Sequence, residues 1–274
     1  MGIPPSLIAA FVALISAGHD AAFISVRRFG LRQPEPISEA TMRPSLPRTS
    51  APIRLQYFEL TTFDGRSAMQ LIGMMDSPYV RRVAISLRAL GLPFEHHSVS
   101  VFRHFEAFAA INPVVKAPTF IADDGTMLID SSLILDYLDH RSPPERRLMP
   151  ADTAERMQAL SLIGFALAAC EKTMQNVYEV NLRPAERQHQ PWIERVQTQL
   201  FAAYDHLENA IAGREGNAWL FGDRLMQPDI TLAVVWRFQQ FMLPDLVDST
   251  RYPALAAFSK RAEALPEFVA APLE

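Results

Sequence analysis

The sequence predicts a mixed α/β domain followed by an all-helical domain. Three observations carry this prediction. Short apolar runs alternate with amphipathic helical segments over residues 69–141, a proline-containing linker occupies residues 142–152, and only helical periodicity follows over residues 153–274. The 274 residues are enough for two domains with a core each, because a typical domain takes roughly 100–200 residues.

Composition excludes several classes of protein. Hydrophobic residues make up 49% and charged residues 20%, which is typical of a folded globular chain and not of a disordered one. The net charge of −4 offers no basic field to phosphates, so we do not expect nucleic acid as a partner. The single cysteine, Cys170, excludes an intrachain disulfide. Because HExxH, paired CxxC, P-loop, GxGxxG and GxSxG motifs do not occur, we expect no metal site and no common nucleotide or hydrolase site.

Residues 1–68 differ from the rest of the chain. Prolines are scattered through them without sustained periodicity, which predicts loop or disorder. Their apolar run, residues 7–15, is shorter than the roughly 20 residues of a membrane helix. Arg27 and Arg28 follow that run instead of preceding it, so a secretory signal is not favoured and a cytoplasmic protein is expected. We expect a dispensable extension, or a segment upstream of a true start at Met69.

The α/β part combines short apolar runs with helical periodicity. The predicted strands are residues 70–74, 94–99, 119–122 and 127–129, and the predicted helices are residues 78–90, 102–111 and 130–138. Asp123-Asp124-Gly125 joins the last two strands and is a strong hairpin signal. Asn112-Pro113 stops the second helix, because the residue before a proline avoids the α region. The order is therefore β-α-β-α-β-β-α.

The first helix has the clearest local signals. Pro78 stands at the first helical position, where its missing N–H costs nothing. Apolar residues then repeat every three or four positions, with Arg81, Arg82 and Arg88 between them. Gly91 ends the repeat, as a glycine after the last turn does. The pattern predicts an apolar face toward the core and a basic face between the apolar positions.

The second domain shows helical spacing throughout. The predicted helices are residues 153–178, 191–211, 228–242 and 253–265, and no strand pattern interrupts them. The linker before them contains Ser142-Pro143-Pro144. We therefore predict a helical bundle over residues 153–274.

Three strings in this order and spacing resemble the glutathione S-transferase superfamily. They are Ser77-Pro78-Tyr79-Val80-Arg81-Arg82-Val83, Asn112-Pro113-Val114-Val115-Lys116-Ala117-Pro118 and Asp130-Ser131-Ser132-Leu133-Ile134-Leu135-Asp136-Tyr137-Leu138. The resemblance covers residues 69–274 and is closest to the serine-type soluble transferases of bacteria and plants. It implies a thioredoxin-like, glutathione-binding domain over residues 69–141 and an all-helical domain over residues 153–274.

Ser77 is the candidate catalytic residue. It stands between a strand end and a helix N-terminus, where free N–H groups and the helix dipole favour an anion such as a thiolate. Lowering a thiol pKa from about 8.5 by about two units takes roughly 2.7 kcal/mol. One charge-assisted hydrogen bond from the Ser77 hydroxyl, at roughly 1.5–3 kcal/mol, supplies most of that. The alternative is a serine that only caps the helix.

Two further strings supply candidate glutathione-binding residues. In the family, the proline at Pro118 follows a cis peptide bond and exposes the backbone of the preceding residue, here Ala117, to the peptide of glutathione. The resemblance also places the γ-glutamyl carboxylate at Asp130-Ser131. The family has Glu-Ser there, so Asp130 is one methylene short for the glutamyl ammonium. A trans turn proline and an ordinary helix cap are the alternatives.

The glycyl carboxylate of glutathione requires a cation. Arg103, His104 and Lys116 are the candidates, with solvated surface charges as the alternative for all three. The second substrate is expected to be small and apolar. The candidate residues of its pocket are Tyr79, Phe165, Met174, Tyr178 and Trp236. Aromatic residues and methionine at helical spacing are also typical of a core, and Cys170 is expected to be an inert core thiol.

Met226-Gln227-Pro228-Asp229 departs from the family pattern. The family opens this buried helix with Ser or Thr as N-cap and Asp three residues later, and here Asp229 stays while the hydroxyl is missing. Such a loss costs about 1 kcal/mol, and Pro228 partly offsets it.

The resemblance implies a glutathione transferase of detoxification, in which Ser77 stabilises the glutathione thiolate for attack on a hydrophobic electrophile. Glutathione is then a co-substrate, and no permanently bound cofactor or metal is expected. A non-catalytic interaction module of the same fold is one alternative. A glutathione-dependent isomerase of the maleylacetoacetate type is another, although that branch has a Ser/Cys-rich string where Asp76-Ser77-Pro78-Tyr79 has one serine. The resemblance also implies a homodimer without nucleic acid or membrane as a partner.

Overall fold

The structure is a computed structural model that describes residues 69–212 and 219–273, together with the backbone of two short strands, Thr62–Phe63 and Arg66–Ser67. These two strands pair antiparallel. Asp64-Gly65 stands between them in the sequence, and this dipeptide is typical of tight hairpins. The prediction of an extension over residues 1–68 otherwise lies outside the described residues.

The first domain contains the predicted elements in the predicted order. Its strands are β1 (Met69–Ile72), β2 (Phe94–His97), β3 (Thr119–Ile121) and β4 (Met127–Ile129), and its helices are α1 (Pro78–Ala89), α2 (Phe105–Ile111) and α3 (Ser131–Arg141). The sheet order is β2-β1-β3-β4. The pair β1 and β2 is parallel, whereas β3 is antiparallel to both β1 and β4.

Strand β1 is buried on both faces of the sheet. Leu71 belongs to the main core, which it shares with the apolar side chains of α1 and α3. Ile72 points to the other face, where it packs with Phe108 and Ile111 of α2. Because neighbouring side chains of a strand alternate between faces, this separation follows directly from the sequence. The domain is therefore a three-layer sandwich of helix, sheet and helix.

The second domain is helical over the residues that the structure describes. Its helices are α4 (Thr153–Leu182), α5 (Gln190–Ile211), α6 (Gln227–Met242), α7 (Pro253–Glu263) and α8 (Pro266–Val269). The predicted helix over residues 253–265 ends early, and a separate turn, α8, follows it. Pro266 explains the break, because a proline inside a continuous helix lacks the N–H and clashes with the preceding turn.

The start of α6 lacks a hydroxyl cap, but a carboxylate in its first turn fixes the residues that precede it. Asp229 accepts hydrogen bonds from the backbone N–H groups of Met226 and Leu220, both at 2.8 Å. Pro228 has no N–H to satisfy. The carboxylate therefore ties the N-cap residue to the preceding loop, while the N–H of Gln227, the first residue of α6, donates to the carbonyl of Leu148 at 2.8 Å.

Helix α1 joins the two domains. Ser86 donates to the Gln227 side chain of α6 at 3.0 Å, and Arg81 forms a two-point ion pair with Glu263 of α7 at 2.6 Å for both contacts. These contacts hold the first domain against the helical bundle. Within the described residues, every helix is too short or too polar to span a bilayer.

Candidate functional site

Ser77 lies between β1 and α1, directly before the first residue of α1. It is the N-cap residue of α1, with extended backbone angles of φ −73° and ψ 120°. Its hydroxyl oxygen accepts a long hydrogen bond from the N–H of Val80 at 3.4 Å. The free N–H groups of the first helical turn point toward the same region. The helix cap and the candidate catalytic position are thus the same residue.

Gly73 permits the close approach of three segments beneath Ser77. Its φ of +136° is a conformation that L side chains rarely adopt. A Cβ there would lie 2.6 Å from Cγ2 of Val80 and 3.1 Å from Cβ of Ala117. A larger residue would therefore push α1 and the segment of Ala117 away from the end of β1.

The segment from Asn112 to Thr119 is shaped by its own hydrogen bonds. The amide of Asn112 donates to the Thr119 hydroxyl at 2.9 Å, and its oxygen accepts from the N–H of Val114 at 3.0 Å. Val115 has a φ of +51°, which is a genuine outlier for a β-branched residue. Such conformations persist where surrounding contacts hold them, and they concentrate at functional sites.

The Ala117–Pro118 peptide bond is cis, which confirms what the resemblance implies. The backbone N–H and C=O of Ala117 form no hydrogen bond with any residue that the structure describes. Ala117 belongs to the wall of the cavity that contains Ser77. Its backbone groups remain available to the peptide of a ligand.

Asp130 and Ser131 begin α3 at the same cavity. Asp130 has a φ of +71°, accepts from the N–H of Ser132 at 2.9 Å and receives Nζ of Lys116 at 3.1 Å. Partial burial by itself raises the pKa of the Asp130 carboxyl. The N–H of Ser132 and the Lys116 ammonium outweigh burial and hold that pKa below its ordinary value. Asp130 is therefore ionised at neutral pH.

Arg82 is a buried cation beside the same helix start, and the sequence analysis did not select it. Its Nη1 donates to the hydroxyls of Ser131 at 3.3 Å and Ser132 at 3.4 Å. Periodicity assigns Arg82 to the polar face of α1, yet the side chain is covered by the rest of the fold. In the sequence, Arg82 belongs to the string that begins at Ser77, and Ser131 and Ser132 belong to the string that begins at Asp130. Only the fold brings these two strings into contact.

One cavity of about 1010 Å³ lies between the two domains, and it contains most of the predicted site residues. The predicted residues in its wall are Ser77, Tyr79, Arg103, Lys116, Ala117, Pro118, Asp130, Ser131, Met174 and Tyr178. The first domain contributes the polar part of the wall. The helical domain contributes an apolar part, which includes Leu167, Val177 and Phe238.

The structure does not bring three of the predicted residues to this cavity. Trp236 is 4% exposed and packs edge-on against Tyr204, with ring centroids 5.3 Å apart, so it is a core residue. Phe165 is stacked on His206 at 3.7 Å, away from the cavity wall. His104 accepts from the N–H of Ser100 at 3.3 Å and does not line the cavity. Helical periodicity placed Phe165 and Trp236 on apolar faces without showing what each face packs against, and the position of His104 relative to Asn112-Pro113 did not show where its ring points.

Phe102 lines the cavity, although the sequence analysis placed it in a helix. The helix predicted from residue 102 begins at Phe105, which leaves Phe102 in the preceding turn. Its ring meets Tyr178 of α4 edge-on, with centroids 6.1 Å apart. This aromatic pair links the two domains across one side of the cavity.

The candidate cations differ in their surroundings. Lys116 is already paired with Asp130, whereas Arg103 lines the cavity and contacts Sδ of Met74 through Nη2 at 3.0 Å. Arg103 is therefore the candidate best placed for a ligand carboxylate on that side.

Cys170 lies behind the cavity wall. Burial raises the pKa of its thiol to about 12, and the nearby Tyr79 hydroxyl and Arg82 offset this only in part. The thiol therefore stays protonated at neutral pH and is a poor nucleophile. This placement agrees with the expected core thiol.

The sequence and the fold have counterparts among known proteins. The family model described as glutathione S-transferase, N-terminal domain, matches residues 71–146, and the model described as glutathione S-transferase, C-terminal domain, matches residues 190–261. The sequence is 28% identical over 198 residues to a glutathione S-transferase zeta class of Euphorbia esula, with 68% of this chain and 82% of that protein covered.

Two other matches agree with these. The sequence is 31% identical over 161 residues to a maleylacetoacetate isomerase of Pseudomonas aeruginosa, with 55% of this chain and 72% of that protein covered. A glutathione S-transferase of Methylobacterium radiotolerans, solved in complex with glutathione sulfonate, has a TM-score of 0.68 and 27% identity over 74% of this chain and 93% of its own. These matches confirm the predicted fold class, a thioredoxin-like domain followed by a helical domain.

Proposed function

The chain belongs to the glutathione S-transferase superfamily, and on that premise we propose that it joins the thiolate of glutathione to a small hydrophobic electrophile. One observation carries the proposal. Ser77, the unpaired backbone of Ala117 and the start of α3 at Ser131 all line one cavity, whose opposite wall is apolar. A peptide thiol and an apolar partner therefore fit side by side.

Ser77 caps helix α1 and at the same time donates a hydrogen bond to the thiolate of glutathione. A hydroxyl has two lone pairs and one hydrogen. Its oxygen accepts from Val80, so its hydrogen remains available to a thiolate in the cavity. The helix N-terminus adds its dipole to this hydrogen bond. The thiolate sulfur then forms the new bond to carbon, and the leaving group departs with the electron pair of the bond that breaks.

The rest of glutathione is held by the first domain in this proposal. The backbone of Ala117 pairs with the cysteinyl peptide group. The γ-glutamyl carboxylate is bound at Ser131, and Asp130 faces the glutamyl ammonium. Arg103 is the proposed partner of the glycyl carboxylate. Glutathione is a co-substrate here, and the reaction as proposed uses no permanently bound cofactor.

The second substrate is bound by the apolar wall. Tyr79, Met174, Tyr178 and Phe102 line the same cavity as Ser77. The helical part of this wall contains the carboxylate of Glu171 and no Lys or Arg among the described residues. An uncharged, apolar electrophile suits this wall better than an anion.

A second candidate function is glutathione-dependent isomerisation, because the Pseudomonas aeruginosa relative is named a maleylacetoacetate isomerase. The substrate in that name is a dicarboxylate. Among the described residues, the helical wall is mainly apolar and contributes no Lys or Arg that would bind two carboxylates, and its Glu171 is paired with Lys172 at 3.3 Å. We therefore favour conjugation. A non-catalytic module is the remaining alternative, and only a measured thiolate shift separates it from both enzymes.

We extend the proposal to a cytoplasmic homodimer that detoxifies electrophiles. Large apolar side chains are exposed on two consecutive helices, Leu133 on α3 and Met157 and Leu160 on α4. A contact between two copies of the chain would remove these side chains from water. Sedimentation velocity should give a dimer for the full chain and a monomer for Leu160→Glu.

The test of the function is a pH titration of thiolate ultraviolet absorbance with glutathione bound to the full chain. We expect a thiol pKa of about 6–7 in the wild type and above about 8 in Ser77→Ala, because the variant loses the hydrogen-bond donor. Ser161→Ala, an exposed serine of α4, is the matched control and should leave the pKa unchanged.

The outcomes separate the candidate functions. Binding with an unshifted thiol pKa would exclude the catalytic role and leave a binding module. A shifted pKa with isomerised product and no conjugate would favour the isomerase. Absence of glutathione binding would reject the proposed function altogether.

A further inference from the structure

Two neighbouring arginines of α1 are buried almost completely. Arg81 is 1% exposed and Arg82 is 2% exposed. The guanidinium of Arg81 is fully paired: Glu263 accepts two hydrogen bonds at 2.6 Å, and the carbonyl of Ala271 accepts from Nε at 2.8 Å. The Arg81 charge is neutralised within the chain.

Arg82 has no such neutralising partner. Its Nη1 donates only to the neutral hydroxyls of Ser131 and Ser132, and its Nε has no hydrogen-bond partner among the described residues. No carboxylate of the described residues lies within ion-pair distance of it. Asp130 attracts it from further away, but that carboxylate is already paired with Lys116 at 3.1 Å.

An unneutralised buried cation is costly, and proteins keep such a charge rarely. Burial lowers the pKa of the Arg82 guanidinium to about 10, so the group is still protonated at neutral pH. The charge therefore persists in the free protein. An anion bound nearby would neutralise this charge.

The hydroxyls connect this charge to the cavity. Ser131 is itself buried, and it lines the cavity together with Ser132. Because the oxygen of Ser131 accepts from Arg82, its single hydrogen is left to donate into the cavity. A hydroxyl that accepts from a cation becomes a stronger donor, since hydrogen bonds in a chain polarise one another.

We propose that Arg82 is a positioning residue whose missing counter-ion is the γ-glutamyl α-carboxylate of glutathione, reached through the hydroxyl of Ser131. This inference rests on the proposed function for the identity of the ligand. Arg82 orients the hydroxyl as a donor and places a positive charge behind it. The bound carboxylate in turn neutralises a charge that the fold leaves unpaired.

The proposal makes two expectations that a structural arginine would not share. First, Arg82→Met removes the charge at similar length, so the free protein is as stable as the wild type or more stable. Second, the variant binds glutathione about 10- to 100-fold more weakly, because the hydrogen bond to the carboxylate loses its charge assistance. Since Ser77 is intact, the pKa of bound glutathione thiol stays at its wild-type value.

The deciding experiment is a double-mutant cycle in which one change is made in the protein, at Arg82, and the other in the ligand, at its α-carboxylate. Dissociation constants are measured by calorimetry on the full chain for glutathione and for γ-aminobutyryl-cysteinyl-glycine, which lacks only the α-carboxylate. In the wild type, loss of the carboxylate should weaken binding at least about tenfold more than in Arg82→Met. Arg88→Met, an exposed arginine of the same helix, is the control and should behave as the wild type.

Each outcome decides the question. If removal of the carboxylate costs the same in the wild type and in Arg82→Met, the inference is wrong while glutathione binding stands. If the wild type does not bind glutathione, the proposed function and the inference fall together. If Arg82→Met does not fold, the same cycle with Arg82→Gln decides, because glutamine also removes the charge while keeping a polar group that can donate to the hydroxyl of Ser131.

Discussion

The two sides of α1 each bury an arginine, and they differ in how its charge is satisfied. On the side of α7 and the C-terminal segment, Arg81 meets the carboxylate of Glu263 and the carbonyl of Ala271. On the side of α3, Arg82 meets two hydroxyls and no carboxylate. The first contact joins the domains, and the second lies against the cavity wall.

This difference separates a stability contact from a binding contact. A buried charge that the chain neutralises contributes to holding the fold, and its loss leaves the partner unpaired. A buried charge that the chain does not neutralise costs stability in the free protein, and a ligand can supply the missing charge. Arg81 and Arg82 are adjacent in sequence, so local composition does not explain the contrast.

Removal of the Arg81 charge should cause the largest loss of stability among the changes compared. We expect Arg81→Met to lower the free energy of unfolding by about 3–5 kcal/mol, because Glu263 is left partly buried without its partner. Urea denaturation of the full chain measures the loss. Arg195→Met, an exposed arginine of α5, should change it by less than about 0.5 kcal/mol.

A double variant sharpens this test. In Arg81→Met with Glu263→Leu, both charges are gone, so the unfolding free energy should recover by at least about 1 kcal/mol over the single variant. No recovery would mean that the methylene packing of Arg81, and not its neutralised charge, holds the domains together.

Asp229 is a buried anion whose charge the chain also satisfies, and we expect its removal to have an intermediate effect on stability. Its two oxygens accept from Met226 and Leu220, so the chain satisfies this charge with backbone N–H groups. Asp229→Asn presents an NH₂ group to one of those N–H donors, and we expect a loss of about 2 kcal/mol in thermal or urea unfolding. Asp136→Asn on the exposed side of α3 should leave unfolding unchanged. Equal stability of both variants would contradict the role of Asp229.

The charge of Asp130 is about half exposed, so we expect its removal to have the smallest effect on stability. The folded protein lowers its pKa, so its carboxylate stabilises the fold above the unfolded pKa of about 3.9. That contribution is lost as the pH falls through the lower folded pKa. Because the pair with Lys116 is half exposed, solvent screening limits it to at most about 0.5 kcal/mol.

The variant Asp130→Asn isolates the charge, since Asn also caps helices and tolerates a positive φ. Wild type and variant should differ slightly in unfolding free energy at pH 7 and converge once the pH falls below the folded-state pKa of Asp130. A difference that persists at low pH would assign the effect to the backbone conformation instead.

Local signals were sufficient for most of the fold. Pro78 and Gly91 mark the two ends of α1, and Asn112-Pro113 ends α2, because each acts on backbone angles next to it. The three strings that resemble the family also lie within single turns and their adjoining helices. They were sufficient to select Ser77, Ala117 and Ser131, which the fold brings to one cavity.

Other site residues were beyond local signals. Periodicity placed Trp236 and Phe165 on apolar faces, and the structure packs them against other helices instead of the cavity. It placed Phe102 in a helix that begins three positions later, at Phe105. Periodicity shows which face of a helix is apolar, but which neighbour covers that face depends on the packing of whole domains.

The sequence by itself determined the order of the elements, the candidate nucleophile-activating serine and the likeness to a family, because those depend on short segments. Only the tertiary structure decided which partners the polar side chains of α1 contact. Arg81 reaches a carbonyl 190 positions away, and Arg82 reaches a hydroxyl 49 positions away. Their charges acquire opposite roles because desolvation and pairing are set by distant parts of the chain that the fold brings together.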